Sequence, residues 1–250
     1  MTTKEGFMRK FYGFLSGAAA AAALLTAAGA AKATPLGFNY SGTCAEACMG
    51  NAIVTIGSGT LTVVLTDTQA NPRSVGDLIS NFEITLNGGA GSASLGSQAG
   101  SLVTITSTTG PYVRSPGPPT NWEASSAGSV ITLDAFGAPM AQNLIIGPPD
   151  GSGNYSNANG SLTNGTHSPF IDGVGTFVID DAAINADTTI SSVTFSFGTS
   201  LNEITLPGTA CTPGTPNCGS GPPLVPEPSA LALVGSGLVV FGFLWRRRSI

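Results

Sequence analysis

Apolar and polar residues alternate with a period of two in several short segments between Thr34 and Val225. In these segments β-branched or aromatic side chains alternate with serine, threonine or glutamate, which is typical of strands buried on one face only. The alternation predicts seven strands, at residues 60–66, 81–86, 102–106, 130–133, 175–179, 190–197 and 203–206. No segment of this region has a convincing 3.6-residue apolar period, and the one helix expected is a turn near residues 74–79.

The segments between these strands contain residues that favour turns. Examples are Asn87-Gly88-Gly89, Gly117-Pro118-Pro119 and the run Gly147-Pro148-Pro149-Asp150-Gly151. Short strands separated by Gly/Pro turns predict an all-β domain, with a β-sandwich as its architecture and a jelly roll as the expected variant. We place this domain at residues 34–206, a length that suits one domain with a sizeable core.

The first 33 residues have the three-part pattern of a secretory signal peptide, so the sequence predicts a signal helix at residues 1–33. An alanine-rich apolar stretch ends in Ala31-Lys32-Ala33, whose small residues at Ala31 and Ala33 fit cleavage before Thr34. A competing cleavage site lies three residues earlier, and an uncleaved N-terminal anchor is the alternative. The basic residues that precede the apolar stretch are Lys4, Arg9 and Lys10.

The last 26 residues, 225–250, also have three parts in a fixed order. Pro226-Glu227-Pro228 comes first, followed by an apolar run that predicts a single transmembrane helix at about residues 229–245. The run from Ala230 to Trp245 would form about 24 Å of helix. Arg246, Arg247 and Arg248 follow and would keep that end in the cytoplasm.

Together, these three parts resemble the PEP-CTERM sorting signal of Gram-negative bacteria. In that family an exosortase, a membrane-embedded cysteine protease, processes the tail near the Pro-Glu-Pro motif. The resemblance implies that exosortase is a partner, that the chain is held in the inner membrane before processing, and that it then reaches the cell surface or the extracellular space. It also implies a role linked to exopolysaccharide or biofilm matrix. A plain membrane anchor with an accidental Pro-Glu-Pro is the alternative.

Residues 207–224, between the predicted domain and the tail, are rich in proline and glycine. Such a composition predicts an extended, semi-stiff stalk that lifts the domain off the membrane and exposes the processing site.

The charge of the region between Thr34 and Val225 differs from that of the whole chain, which has a formal net charge of −5. This region holds two basic residues, Arg73 and Arg114, and twelve acidic residues, which gives a net charge of −10. Such a balance disfavours nucleic acids and anionic membranes as ligands. It is compatible with divalent cations and with neutral glycans.

The four cysteines form two local pairs in the sequence, Cys44 with Cys48 and Cys211 with Cys218. In an exported protein we expect them to form disulfides. Local pairing would close two small loops, whereas cross-pairing would tie the start of the domain to the stalk. The sequence does not choose between these pairings. A four-cysteine zinc site is the functional alternative, but the spacings do not fit it.

The sequence offers no motif for catalysis, so we expect a non-enzymatic domain with no catalytic, cofactor or metal site. The single histidine, His167, lies in a polar, turn-like segment and is expected to be a solvated surface residue. A hydrolase is the remote alternative, because acidic residues form glycosidase pairs. Nothing in the sequence pairs any two of the candidates Glu83, Glu123, Asp134 and Asp172.

Two further features bear on a lectin-like, calcium-assisted carbohydrate-binding module, which is the alternative function. Asp180 and Asp181, with Asp187 nearby, could bind calcium, although a solvated acidic turn is preferred because the spacing fits no calcium loop. Trp122 and Tyr155 could stack on a sugar ring, or could equally be loop packing. The leading hypothesis remains an exported, exosortase-sorted envelope or matrix protein with extracellular polysaccharide as a further partner.

Overall fold

The structure, a computed structural model, describes residues 34–107, 112–137, 140–216 and 218. The predicted signal helix, the predicted sorting segment with its predicted transmembrane helix, and the end of the predicted stalk lie outside these residues. Within the described ranges, no helix is both long enough and apolar enough to cross a membrane.

The described part of the chain is all-β, which confirms the predicted fold class. Its helical structure consists of a 3₁₀ turn at Val75–Asp77, inside the predicted turn, and a one-turn helix α1 at Gly160–Thr163. The described residues form fifteen strands: β1 Leu36–Thr43, β2 Ala47–Ile56, β3 Thr60–Asp67, β4 Ile79–Asn87, β5 Ser94–Ala99, β6 Leu102–Thr104, β7 Val113–Ser115, β8 Glu123–Ala127, β9 Val130–Asp134, β10 Ile145–Ile146, β11 Phe170–Asp172, β12 Val174–Asp180, β13 Thr189–Phe197, β14 Ile204–Pro207 and β15 Thr209–Cys211.

The strands form two sheets. The first sheet has six strands in the order β15-β1-β2-β3-β12-β5. The second has nine strands, with the order β14-β13-β4-β10-β11-β6-β7 and with β9 and β8 continuing from β4. Neighbouring strands are antiparallel except for β10 and β11, which are parallel.

The main hydrophobic core contains side chains from both sheets. In β3, Leu61, Val63 and Leu65 are fully buried and the three threonines of the strand are partly exposed, as the alternation predicts, whereas Val64 on the opposite face is also buried. Rings from the two sheets also meet directly, since the centroids of Tyr40 in β1 and Phe195 in β13 are 4.4 Å apart. Burial of this apolar surface is the main favourable contribution to folding.

A second, smaller core lies beside the second sheet. Val103 in β6, Ile146 in β10 and Phe170 in β11 pack there against residues 155–162, which belong to the connection between β10 and β11. Tyr155 and Leu162 from that segment are fully buried. The long connection between β10 and β11 is therefore a packed layer, not an open loop.

Candidate functional site

The β-domain extends beyond its predicted boundary at residue 206. Pro207 is the last residue of β14, and after Gly208 the chain enters β15, which pairs with Gly37–Asn39 of β1 in the other sheet. A side chain at Gly208 would meet Phe195 at 3.1 Å and Phe38 at 3.3 Å, so glycine permits this tight crossing between sheets. The first residues of the predicted stalk are thus part of the sheets, because a proline at a strand end still leaves the following residues free to pair.

The chain after β15 is held by a disulfide between Cys211 and Cys218, whose Cα atoms are 5.7 Å apart. Cys218 is fully buried and packs against Ile53 and Val64 on the outer face of the first sheet. Gly37 makes this possible, since a Cβ there would collide with the Cys218 sulfur. The predicted stalk is therefore fixed to the domain as far as Cys218.

The other disulfide joins Cys44 and Cys48, so both pairings are local. The loop that it closes is held by the fully buried Asp77, which accepts hydrogen bonds from the Glu46 N–H at 2.7 Å and the Ser74 N–H at 3.0 Å. An ion pair of 3.2 Å between Arg73 and Glu46 supports the same loop. This arrangement fixes the connection between β1 and β2.

Two buried titratable side chains interact electrostatically: Asp67 at the end of β3 and Tyr40 in β1. The Asp67 carboxylate accepts a hydrogen bond of 3.0 Å from the Gln69 N–H, but its Oδ2 atom has no hydrogen-bond partner within the described residues. Burial raises the pKa of Asp67 well above its usual value. Burial, and then the charge of Asp67, also raise the pKa of Tyr40. The sequence gives no signal for this pair, because Asp67 reads as an ordinary residue at a strand end.

The His167 side chain is half-buried. The sequence predicted a solvated surface residue at this position. Its Nδ1 atom is 2.8 Å from the carbonyl oxygen of Ala141. The neighbouring Ser168 donates a hydrogen bond to Thr104. The position of the ring is thus explained by packing between two loops.

The structure brings together two of the four carboxylates considered for catalysis. Glu123 in β8 is the cross-strand partner of Asp134 in β9. Burial, and in addition the charge of Glu123, raise the pKa of Asp134, while a hydrogen bond from the Phe136 N–H opposes the shift. Asp172 instead forms an ion pair of 3.2 Å with Arg114.

The sequence contained a signal for this contact that was missed. Gly128 and Ser129 form a two-residue loop between β8 and β9, and Gly128 has a positive φ of 62°. A two-residue glycine-containing loop sets the register of a hairpin. That register pairs Glu123 with Asp134, provided that the polar segment of residues 123–127 is recognised as a strand.

The acidic turn considered as a calcium site was predicted to be solvated, but one of its carboxylates is buried. Asp181 is buried, not solvated, and it accepts hydrogen bonds from the Gly91 N–H at 2.8 Å and the Ala183 N–H at 2.9 Å. Its carboxylate therefore fixes two loops. Asp187 is exposed and lines a shallow depression of about 210 Å³ together with Asn87 and Asn185.

Neither of the aromatic residues proposed for sugar stacking is accessible. Trp122 donates a hydrogen bond of 2.7 Å to the Asn143 carbonyl, and its ring centroid is 4.6 Å from that of Phe177. Tyr155 is fully buried and donates to the Gly147 carbonyl at 2.9 Å. Burial is the largest cause of the raised pKa of Tyr155. Both rings belong to the hydrophobic cores, so the stacking hypothesis is wrong for these two residues.

The residues predicted to direct sorting lie outside the described ranges. They are Ala31 and Ala33 at the signal cleavage site, Pro226, Glu227 and Pro228 in the motif, and Arg246, Arg247 and Arg248 after the apolar run.

Comparison with known proteins identifies the C-terminal part of the chain. A family model described as the PEP-CTERM protein-sorting motif matches residues 224–248. No curated protein and no solved structure was found to match the chain. Since Cys218 is the last described residue, five residues (219–223) separate the disulfide-bonded end of the domain from the matched motif.

Proposed function

We propose that this chain, which carries a PEP-CTERM sorting motif at residues 224–248, is exported and processed by exosortase, and that the function of its β-rich domain is display. The β-domain is carried to the cell envelope, cleaved from its tail near Pro226–Pro228 and presented at the surface as a non-catalytic module. The observation that carries this proposal is the sorting motif at residues 224–248.

The proposed route has three steps. A signal peptide is removed after Ala33, the apolar run at about residues 229–245 holds the chain in the inner membrane, and exosortase then releases the domain. The disulfide at Cys218 supports a folded domain that ends shortly before the cleavage site. The short segment that follows would give the protease access without unfolding the sheets.

The architecture that we propose for the displayed module is a β-sandwich, with the jelly-roll topology as its finer form. The support for a sandwich is that side chains of the six-stranded and nine-stranded sheets share one core. A module of this kind needs no ligand to fold, which suits a passive surface component.

We propose that the displayed domain is part of the exopolysaccharide or biofilm matrix. This rests on the PEP-CTERM sorting system, which accompanies exopolysaccharide production in that family. The acidic, lysine-free region between Thr34 and Val225 is compatible with a neutral polysaccharide partner. The lectin-like alternative has lost its two aromatic candidates, since Trp122 and Tyr155 are buried.

Sorting is tested by fractionating cells that express the full chain with and without an exosortase. We expect the domain at the surface or in the medium only when the exosortase is present. Replacing Pro226, Glu227 and Pro228 by alanine should abolish this release, whereas replacing Pro222 and Pro223 by alanine should preserve it. Release without exosortase, or equal release of the motif variant, would contradict the proposal.

The matrix role is tested separately, in strains that do and do not produce exopolysaccharide. The released domain should remain with the matrix fraction of the producing strain and move to the medium of the non-producing strain. An identical distribution in both strains would remove the matrix role and leave the sorting proposal intact.

A further inference from the structure

A row of oxygen-bearing side chains crosses four adjacent strands of the second sheet. Glu123 in β8 is paired with Asp134 in β9, Asp134 with Asn81 in β4, and Asn81 with Ser196 in β13. Directly paired residues point to the same face of a sheet, with Cβ atoms about 4.5–5.5 Å apart. We call these four residues the Glu123 row. They face away from the main core, because the positions next to them along the strands pack into it: Phe82, Leu133, Phe195 and Phe197.

Two members of the Glu123 row have unused hydrogen-bonding capacity. Asn81 is fully buried, and neither its amide nitrogen nor its carbonyl oxygen has a hydrogen-bond partner within the described part of the chain. The hydroxyl of Ser196 is likewise buried without a partner there. Buried polar side chains are nearly always paired, so an unpaired amide next to a carboxylate points to a missing ligand.

The backbone beside Asn81 is also irregular. The register between β4 and β13 shifts next to Ser196, so that Ser80 is the extra residue of a bulge. The Ser80 carbonyl accepts a hydrogen bond of 2.9 Å from the Ala135 N–H, which joins the bulge to the end of β9. Bulges are over-represented next to functional positions, where they redirect a side chain.

The charges on this face are not balanced by the protein. Glu123 and Asp134 are adjacent acids, and Glu83 lies on the same face two residues beyond Asn81. The two basic residues of the region, Arg73 and Arg114, pair with acids elsewhere in the domain, at Glu46 and Asp172. Like charges directly opposite each other in a sheet are destabilising, so a cation from solution would stabilise this face.

We propose that Glu123, Asp134 and Asn81 bind a divalent cation of the calcium class. Calcium takes carboxylate and amide oxygens in flexible geometry and completes its shell with water. The Asp134 Oδ1 atom already accepts the Phe136 N–H, so Asp134 would bind mainly through Oδ2. The Glu123 carboxylate in β8 and the side-chain oxygen of Asn81 in β4 would bind the cation from the two strands that flank β9. With so few protein ligands, the dissociation constant should be about 0.1–1 mM, as in extracellular modules.

This site differs from the position that the sequence suggested for calcium. There the Asp181 carboxylate already accepts backbone N–H groups, which compete with a cation for its oxygens. In the Glu123 row, Asp134 Oδ1 accepts the Phe136 N–H, but the side-chain oxygen of Asn81 has no hydrogen-bond partner among the described residues. The inference is independent of the display function, because a cation would bind the folded domain whether or not exosortase processes the chain.

The test is calcium binding to the purified full chain after treatment with a chelator. Thermal unfolding is followed during titration with CaCl₂, and with NaCl at equal ionic strength. We expect a saturable rise of the unfolding midpoint with CaCl₂ that NaCl does not reproduce. Terbium luminescence excited through tryptophan gives a second readout, since Trp122 precedes Glu123 in the chain.

Two near-isosteric variants test the assignment, Asp134→Asn and Glu123→Gln, with the exposed Asp187→Asn as matched control. Each of the two should weaken calcium binding about tenfold or more, because affinity follows the number of charged ligands, while the control binds as wild type. Glu123 is exposed, so its variant keeps the test valid if Asp134→Asn fails to fold. The proposal is overturned if wild type responds equally to the two salts, or if the folded variants bind calcium like wild type.

Discussion

The role of several buried residues in this domain follows from the atoms that they contact directly. Asp77 and Asp181 are buried in loops, where their carboxylates accept backbone N–H groups and fix the chain. Asp67 differs, because one of its oxygens lacks a partner among the described residues and burial raises its pKa. Gly37 acts through the absence of a side chain.

The raised pKa of Asp67 makes the stability of the domain depend on pH. Stability due to protonated Asp67 is fully present below the unfolded pKa of about 3.9 and is lost as pH rises through the higher folded value. Asp67→Asn cannot titrate but can still accept the Gln69 N–H. Urea unfolding at pH 4 to 8 should therefore show wild type losing stability with rising pH relative to the variant. A difference between the two proteins that stays constant across this range would contradict the prediction.

Gly37→Ala should destabilise the end of the domain. The added methyl group would collide with the Cys218 sulfur and lie 2.8 Å from the Cys211 carbonyl oxygen. Overpacking of this kind typically costs about 1–3 kcal/mol, which urea unfolding can measure. Gly151→Ala is the control, because a Cβ there meets nothing within 4 Å. Equal stabilities of the two variants would mean that the disulfide loop does not press on Gly37.

At the scale of secondary structure elements, β14, β15 and the following disulfide loop form one unit that closes the domain. β14 pairs with β13 in one sheet and β15 with β1 in the other. The disulfide then holds the chain on the outer face of the first sheet. This unit determines where the folded domain ends and where the segment available to exosortase begins.

Replacing Cys211 and Cys218 by serine should free this end while the sheets persist. The chain-entropy model gives a loss of about 2–3 kcal/mol for a loop of this size. Limited proteolysis should then cleave the variant between residues 207 and 218, whereas we expect the wild type to resist cleavage there. The double variant of Cys44 and Cys48 is the control, since it opens a loop at the other end of the chain. Equal protection of residues 207–218 in wild type and variant would show that β15 alone holds the chain.

The strands that the sequence predicted correctly are those with long, clean alternation, such as β3 and β13. Some of the missed strands are short or poor in apolar residues because they lie at sheet edges, like β5 and β8, or lie among prolines and glycines, like β15. The strands β1 and β2 were also missed, although they have eight and ten residues and lie inside the first sheet. The Glu123–Asp134 contact could have been predicted from the sequence, because the two-residue loop Gly128-Ser129 determines the register of the hairpin that pairs them. Asn81 joins that pair through a strand some fifty residues earlier, and no local pattern encodes such a pairing.

At the scale of the whole molecule, the chain combines a folded acidic β-domain with a sorting motif a few residues beyond it. The domain is tightly closed at Cys218, and the matched motif starts at residue 224. Processing near Pro226–Pro228 would therefore release a nearly complete folded unit with a short C-terminal extension. In the proposed function, the sorting motif determines where the protein is delivered and where it is cleaved.

The most direct test is the intact mass of the protein recovered from a host with and without exosortase. We expect a chain that starts at Thr34 and ends near Pro226–Pro228 only when exosortase is present, and a chain with its full C-terminal tail when exosortase is absent. A full tail in both hosts, with the protein retained in the inner membrane, would contradict this expectation. The motif would then serve as a simple membrane anchor, and the proposed matrix role would lose its basis.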